Sequence, residues 1–372
     1  YIYQQQCPLY DAPGLPISWN KNQYQEGKNE YVAVRPELKK QIEELYRKHP
    51  EEARDNFGED PFEVKNILKY WIFSERQEFN VIPTDTINIH IDKDALLRSG
   101  IMLPEAIRHL KGEELKDAIP DKLYIPLKDI RMLNKVDLLM LEILANCYWE
   151  RPLYFAISVG SVSKLKFDNY FVQEGLAFRF TPFDYKKWGD TDENRPYAVD
   201  VERLYDNVMN RYKYGGLNTP GLYLDETTLR TCWYHRRLFA QLAKELIIRG
   251  DNARAKKVLV YAEQAVPGYN VPETYESGSY SIATAYAALG EKMKAITLTE
   301  HLIAEAEDYI NWAFSLKGNR MEMVRNDCIY KFWQWNQCNE LLKKVDEESY
   351  KESNRRFEDK YALFAPNMGY KN

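Results

Sequence analysis

Apolar and polar residues alternate along this chain with two different periods, and the change from one to the other marks its parts. Pro36 opens ELKKQIEELYRKH with Ile42, Leu45 and Tyr46 on one face, the spacing of a surface helix. EEARDNFGEDP reads as a polar loop, and PFEVKNILKYWIF (61–73) as a more apolar helix with Pro61 at its first position. The period then shortens to two. In DTINIHID (85–92), Ile87, Ile89 and Ile91 alternate with Asn88, His90 and Asp92, the pattern of a half-buried strand. DKLYIPLKDI (121–130) holds a short strand that Pro126 confines to an edge or an end, because proline donates no ladder hydrogen bond. KVDLLMLEILANCYW (135–149) is a strongly apolar helix. PLYFAISVG (152–160) is a continuous apolar run, which predicts a strand covered on both faces. LAFRFTPF (176–183) alternates again.

After that the strand period stops. VDVERLYDNVMNRYKYGG (199–216) reads as a helix closing on a glycine pair, and long amphipathic helices run from Asp225 to Leu316. The expected fold class is therefore α+β: a small mixed α/β domain followed by an all-α helical domain. The predicted boundaries are an extended lead-in over 1–36, rich in Pro, Gly, Asn and Gln, a mixed domain over 37–198 and a helical domain over 199–372.

Two stretches of the helical part match each other. LAKELIIRGDNARAKKVLVYAEQAVP (242–267) aligns with IATAYAALGEKMKAITLTEHLIAEAE (282–307), so that Gly250 meets Gly290, Ala243 meets Ala283 and Ala255 meets Ala295. Antiparallel helices need a small residue where their axes approach and a glycine at the turn. With Ala262 and Pro267, this spacing resembles the tetratricopeptide repeat, giving hairpins over about 225–316. Leu302 and Glu307 depart from that pattern, and GYNVPETYESGS lengthens the loop between the copies. The plainer alternative is a pair of ordinary amphipathic hairpins. Two units are few for a free-standing solenoid, so helices at 225–240 and 309–357 are expected to cap them.

Composition narrows the function classes. The 372 residues are 45% apolar and 29% charged, enough for a well-buried core. A net charge of -5 with no basic stripe argues against nucleic acid as a partner. No run of 18 apolar residues occurs, so none of these segments is expected to span a bilayer. The start, YIYQQQCPLYDAPGLPIS, has neither an initiator Met nor the regions of a signal peptide, and reads as the start of a fragment or processed product. Cys7, Cys147, Cys232, Cys328 and Cys338 are odd in number and form no CxxC. Cys328 and Cys338 are candidates to pair, with one cysteine left free.

Candidate chemistry is sparse. The five histidines are scattered, and no HExxH, GxSxG, P-loop or GxGxxG is present, so no catalytic residue, metal ligand or cofactor is assigned. Asp94, before ALL, reads as a helix N-cap. The 28 tyrosines suit half-buried core rings or carbohydrate sites. In YINWAF and YKFWQW the rings are either helix core or sugar-stacking surfaces, the stacking candidates being Trp333 and Trp335. The junction NCYWERPLYFAISV (146–159) supplies Trp149, Glu150, Arg151 and Pro152, joined by Tyr170 and Glu174, as candidates for a binding site or a structural hinge. As a hinge, Trp149 would cap the apolar helix against the sheet and Pro152 would stop the helix and launch the next strand.

Several stretches together carry a family resemblance: KVDLLMLEILANCYWERPLYFA (135–156), DNYFVQEGLAFRFTPF (168–183), LYDNVMNRYKYGG (204–216) and YLDETTLR (223–230), followed by the helical repeat. In that order they look like the C-terminal, non-membrane half of a family of large bacterial membrane proteins of unknown function. The N-terminal half of that family is multi-spanning and similar to protein O-mannosyltransferases. Its most recognisable mark, Trp-x-Arg-Pro-x-Tyr-Phe-Ala, stands here as WERPLYFA. The resemblance implies a membrane half that uses a lipid-linked sugar donor and carries the catalytic carboxylate, with the present chain on the extracytoplasmic, periplasmic side of an inner membrane. It carries no catalytic role onto these residues. The expected function is a non-catalytic domain that binds or presents an acceptor protein or partner, beside its own transmembrane half. The alternatives are a carbohydrate-binding module and a stand-alone enzyme with an unrecognised site.

Overall fold

The computed structural model describes residue 17 and residues 30–74, 79–147, 149–158, 165–191, 195–317 and 320–365. Cys7 and the lead-in before residue 30, apart from Ile17, lie outside them. The architecture is α+β, and the chain divides into two compact units: residues 1–173 with 177–200, and residues 174–176 with 201–372.

The first unit holds three small sheets among its described residues. Strand β1 (Tyr31–Val34) lies between β2 (Val81–Ile82), parallel to it, and β5 (Met132–Asn134), antiparallel. This part of the expected loop-like lead-in is thus a central strand. Its ladder partners, Val81 and Met132, lie far along the chain, where local pattern does not reach. Helix α1 (Leu38–Lys48) buries Ile42. Helix α2 (Pro50–Phe57) replaces the expected polar loop: Pro50 fits the first turn, Glu51 and Glu52 complement the helix dipole, and Ala53 is buried. One buried alanine is too weak a stripe to read beforehand. Helix α3 (Val64–Ile67) widens into a π turn over Leu68–Ile72.

Strands β3 (Thr86–His90) and β4 (Lys122–Pro126) pair antiparallel, with Ile87 opposite Ile125 and Ile89 opposite Leu123. Asn88, on the face expected to be wet, is buried because its N–H donates to the Phe62 carbonyl at 3.0 Å and the chain before α3 covers it. Helix α4 (Lys93–Arg98) is capped by Asp92, which accepts from the Ala95 N–H at 2.9 Å. Asp94, the expected cap, instead sits in the first turn and pairs at 2.8 Å with Lys116 of α5 (Gly112–Ala118). Helix α6 (Lys135–Asn146) starts with a capping box between Asn134 and Asp137 and buries Leu138, Leu141 and Leu144. The third sheet runs β6 (Tyr154–Ala156), β8 (Ala177–Phe180), β7 (Phe171–Gln173), β9 (Ala198–Val199). β6 is an outer strand with Tyr154 and Ala156 exposed, so the described part of the apolar run, 152–158, is not covered on both faces; among the described residues only β8 pairs with it. The short helix α7 (Tyr185–Trp188) follows β8. One apolar core joins these elements, from Val32 through Ile87, Leu141 and Phe180 to Ala198.

The second unit is helical. Helix α8 (Val201–Asp206) widens into a π turn over Asn207–Arg211 and stops before the glycine pair. Then come α9 (Glu226–Ile248), α10 (Asn252–Ala265), α11 (Ser279–Ala288), α12 (Lys292–Ser315), α13 (Arg320–Met323), α14 (Arg325–Val345) and α15 (Glu347–Phe364). Gly250 and Gly290 take φ of +77° and +74° at the turns of the α9–α10 and α11–α12 hairpins, where a side chain would be strained. Ala243, Ala255, Ala283 and Ala295 are all buried. A second core runs from Leu302 to Phe364, with Trp335 fully buried and its Nε1–H donating to Ser353 Oγ at 2.8 Å. Cys328 and Cys338 are both free and both on α14, where ten helical residues hold them roughly 15 Å apart. The suggested pairing is therefore excluded by the helix itself.

Glu202 and Arg254 form a bidentate pair in this unit, at 2.7 and 2.8 Å. The hydrogen bond from Arg254 holds the Glu202 carboxyl below its ordinary pKa. A carboxylate depressed in the fold stabilises above its unfolded pKa, and that contribution fades as pH falls through the folded one. Because the Glu202 side chain is 67% exposed, the effect is modest. Glu202→Gln should cost about 0.5 kcal/mol at neutral pH. In thermal melts the gap from wild type should be full above the ordinary glutamate pKa of about 4.3 and close as pH falls below it. A gap that stayed constant with pH would show that the charge pair is not its source.

Candidate functional site

Two places carry the sequence candidates. The first is the handover from α6 to β6. Trp149 has φ +61°, a left-handed conformation that L side chains seldom take. The bend puts the indole in the core of the first unit. Its Nε1–H donates to the His90 carbonyl of β3 at 2.9 Å, and its ring stacks on Phe180 at 6.2 Å between centroids. Tyr170 is half-buried and lies against the same Phe180 ring at 6.1 Å. Glu150 is exposed and pairs loosely with Arg98 at 3.7 Å; Arg151 and Pro152 are exposed too. Glu174 belongs to the second unit, where it is buried and pairs with Arg203 at 2.6 Å.

Beside Trp149 lies a cavity of about 10 Å³, lined by Cys147, Leu144, Arg179 and Phe180 among others. That is room for about one water and far too little for a sugar or a peptide. The Arg179 guanidinium there donates to the carbonyls of Ser99 and Gly100 and to Ser99 Oγ, at 2.8 to 3.1 Å. Burial pushes the Cys147 thiol pKa up, so the group stays protonated and inert. Chemically, this junction fixes a helix end against two sheets.

The second place is on the helical unit and begins with two neighbouring arginines of α9. Arg236 is 4% exposed. Its guanidinium donates to the carbonyls of Val266, Val271 and Pro272 and to Ser277 Oγ, at 2.5 to 3.1 Å. Burial lowers its pKa to about 10, so it remains charged at neutral pH. Arg237 donates to the Glu276 carbonyl at 2.8 Å. Gly278 has φ +94° and its backbone passes so close to Arg237 that a Cβ would lie 3.2 Å from the Arg237 Cα. The loop between α10 and α11 is thereby held at both ends and along its length.

That loop delivers Tyr275 and Glu276 to α14. Tyr275 stacks on Tyr280 at 5.0 Å and meets the Trp333 ring edge-on at 5.5 Å. Tyr330, one turn before Trp333, lies parallel to it within 12° at 5.6 Å. Tyr330 and Trp333 remain 46% and 47% exposed. Glu276 accepts from Gln334 Nε2 at 2.6 Å and lies 3.6 Å from Lys331, whose ammonium also pairs with Glu305 at 2.8 Å. The result is a shelf of rings with a charged rim.

Trp335 has no part in it. Two residues beyond Trp333, it is turned about 200° round the helix and packs in the core, so it offers no face to a sugar. Tyr275 and Tyr280 went unseen in the sequence; for Tyr275 the available signal was the length of GYNVPETYESGS, since insertions in helical arrays gather on one face. Among the described residues no cluster of His, Cys, Asp and Glu could hold a metal, and no helix is long and apolar enough to cross a membrane.

The sequence model of the family described as TMEM260-associated domain 2 matches residues 1–201. The match takes in the first unit entire, with WERPLYFA and the Trp149 bend. No curated protein and no solved structure matches the chain. With more than half of its 372 residues matched, the chain belongs to the TMEM260-associated domain 2 family.

Proposed function

We propose that this chain is a non-catalytic, extracytoplasmic part of a TMEM260-like membrane glycosyltransferase, and that its helical unit binds what the membrane half modifies. The observation that carries this reading is the Tyr330–Trp333 shelf: half-exposed rings on a frame that two arginines hold rigid. The resemblance of WERPLYFA and its neighbouring stretches to proteins with an O-mannosyltransferase-like membrane half supplies the chemistry the shelf would serve. The α9–α10 and α11–α12 hairpins, taken as tetratricopeptide-like, supply a scaffold type that presents binding faces. The buried thiols of Cys147, Cys232, Cys328 and Cys338, all held protonated by burial, are a form in which unpaired cysteines persist in an oxidising compartment.

The test uses cells making the full-length membrane protein. Trp333→Ala is expected to lower the glycan occupancy of its secreted acceptors, read by intact-protein mass spectrometry, at an unchanged level of the membrane protein. Unaltered occupancy rejects the binding role. Sugar transfer from a lipid-linked donor by the purified chain alone would reject the non-catalytic one.

A further inference from the structure

We propose that the shelf of Tyr275, Tyr330 and Trp333 binds a single neutral pyranose ring, with Glu276 and Lys331 as its polar rim. This rests on the reading above, that the shelf is the binding face, and names the chemistry bound there.

A pyranose presents a flat C–H face and a rim of hydroxyls, so its site needs a flat apolar surface edged by strong donors and acceptors. Tyr330 and Trp333 stack on one another, parallel within 12° at 5.6 Å, and each stays nearly half exposed, which leaves flat ring surface in water for the sugar to cover. Tyr275, edge-on to Trp333, bounds it. The rim is built from side chains already oriented by the protein. A carboxylate has about four acceptor positions. Glu276 receives Gln334 and Lys331 on Oε1, and among the described residues no donor reaches its Oε2. Oε2 is thus available to a sugar hydroxyl.

Charge selects the kind of sugar. Lys331 stands between Glu276 and Glu305, so its ammonium is already shared by two carboxylates. A uronate, a sialic acid or a sugar phosphate would have to compete with both for it; a neutral hexose would not. The loop is also ordered in advance. Arg236, Arg237 and the hydrogen bonds of Ser277 with Thr274 hold Tyr275 and Glu276 without a ligand, so binding loses little conformational freedom there.

The experiment titrates the full chain with methyl α-D-mannopyranoside, methyl β-D-glucopyranoside and methyl β-D-galactopyranoside, with glucuronate as the anionic control. Binding is read by tryptophan fluorescence and by saturation transfer to the sugar C–H protons. At least one neutral pyranoside should saturate, and glucuronate should bind more weakly than it. Trp333→Ala should weaken binding about tenfold, the loss of one stacking ring, with only a small fall in melting temperature because the side chain is half exposed. Glu276→Gln should weaken it as well. Binding by none of the three pyranosides, or binding that survives Trp333→Ala, overturns the proposal. If no pyranoside binds but Trp333→Ala still lowers acceptor glycosylation, the shelf contacts polypeptide: the sugar proposal falls and the earlier reading stands. If a pyranoside binds through Trp333 while glycosylation is unaffected, the sugar site stands and the earlier reading falls.

Discussion

Arg236→Ala is expected to destabilise the helical unit by about 3–5 kcal/mol, with a fall in melting temperature of roughly 10 °C. The size follows from what the guanidinium holds. Val266, Val271 and Ser277 are buried, and each has an acceptor bonded to Arg236. Removing the cation leaves the Val266 and Val271 carbonyls without their donor, whereas Ser277 Oγ keeps the Thr274 N–H, and an orphaned buried acceptor costs far more than a surface contact. Arg236→Lys separates charge from shape. It restores the positive charge, but a single ammonium replaces two nitrogens that face different partners: Nη1 serves Pro272 and Ser277, and Nη2 serves Val266 and Val271. Lysine should recover less than half of the loss in urea melts. Full recovery would show that the loop answers to charge alone, and that the fork geometry is irrelevant. The same substitution to alanine should loosen Tyr275 and Glu276, which the loop carries.

Trp149→Ala should cost the first unit about 3–5 kcal/mol. The ring is 6% exposed, stacks on Phe180 and donates to the His90 carbonyl, so its loss opens a cavity and leaves an acceptor bare. The more telling variant is Trp149→Gly. Glycine ordinarily destabilises by about 0.5–1 kcal/mol relative to alanine. At φ +61° a Cβ itself carries a cost of about 1–2 kcal/mol. Here the order should reverse, with Trp149→Gly at least as stable as Trp149→Ala in chemical denaturation. An alanine variant clearly more stable than the glycine one would mean that the bend at 149 is not a left-handed turn.

Where local pattern and tertiary packing agree, the chain is readable. Ile87 and Ile89 alternate because β3 has one continuously covered face, and the glycine and alanine spacing at 243–255 and 283–295 reflects helices turning back on themselves within a few residues. Where the partner is remote, the reading fails. Tyr31–Val34 is a strand only because Val81 and Met132 flank it, and Asn88 is dry only because Phe62 and Glu63 lie over it. The cap of α4 turned on which of two aspartates stands three residues before an unsatisfied N–H; Asp92 does, at Ala95, and Asp94 stands one residue away from it.

The candidate site divides in the same way. Local pattern was enough to read the two-part α+β order, the end of the apolar helix ahead of Pro152, the helical hairpins and the aromatic clusters, because each depends on residues near one another in the chain. Trp333 and Trp335 were equivalent at that level: their spacing requires opposite faces but does not say which face is covered. Only the packing of Phe332, Trp335, Phe357 and Phe364 between α14 and α15 decided it, burying Trp335 and leaving Trp333 in water. Long-range packing, likewise, carried Tyr275 and Glu276 across more than fifty residues of chain to meet Trp333 and Gln334, because hydrogen bonds from a buried arginine on a third helix hold the loop in place.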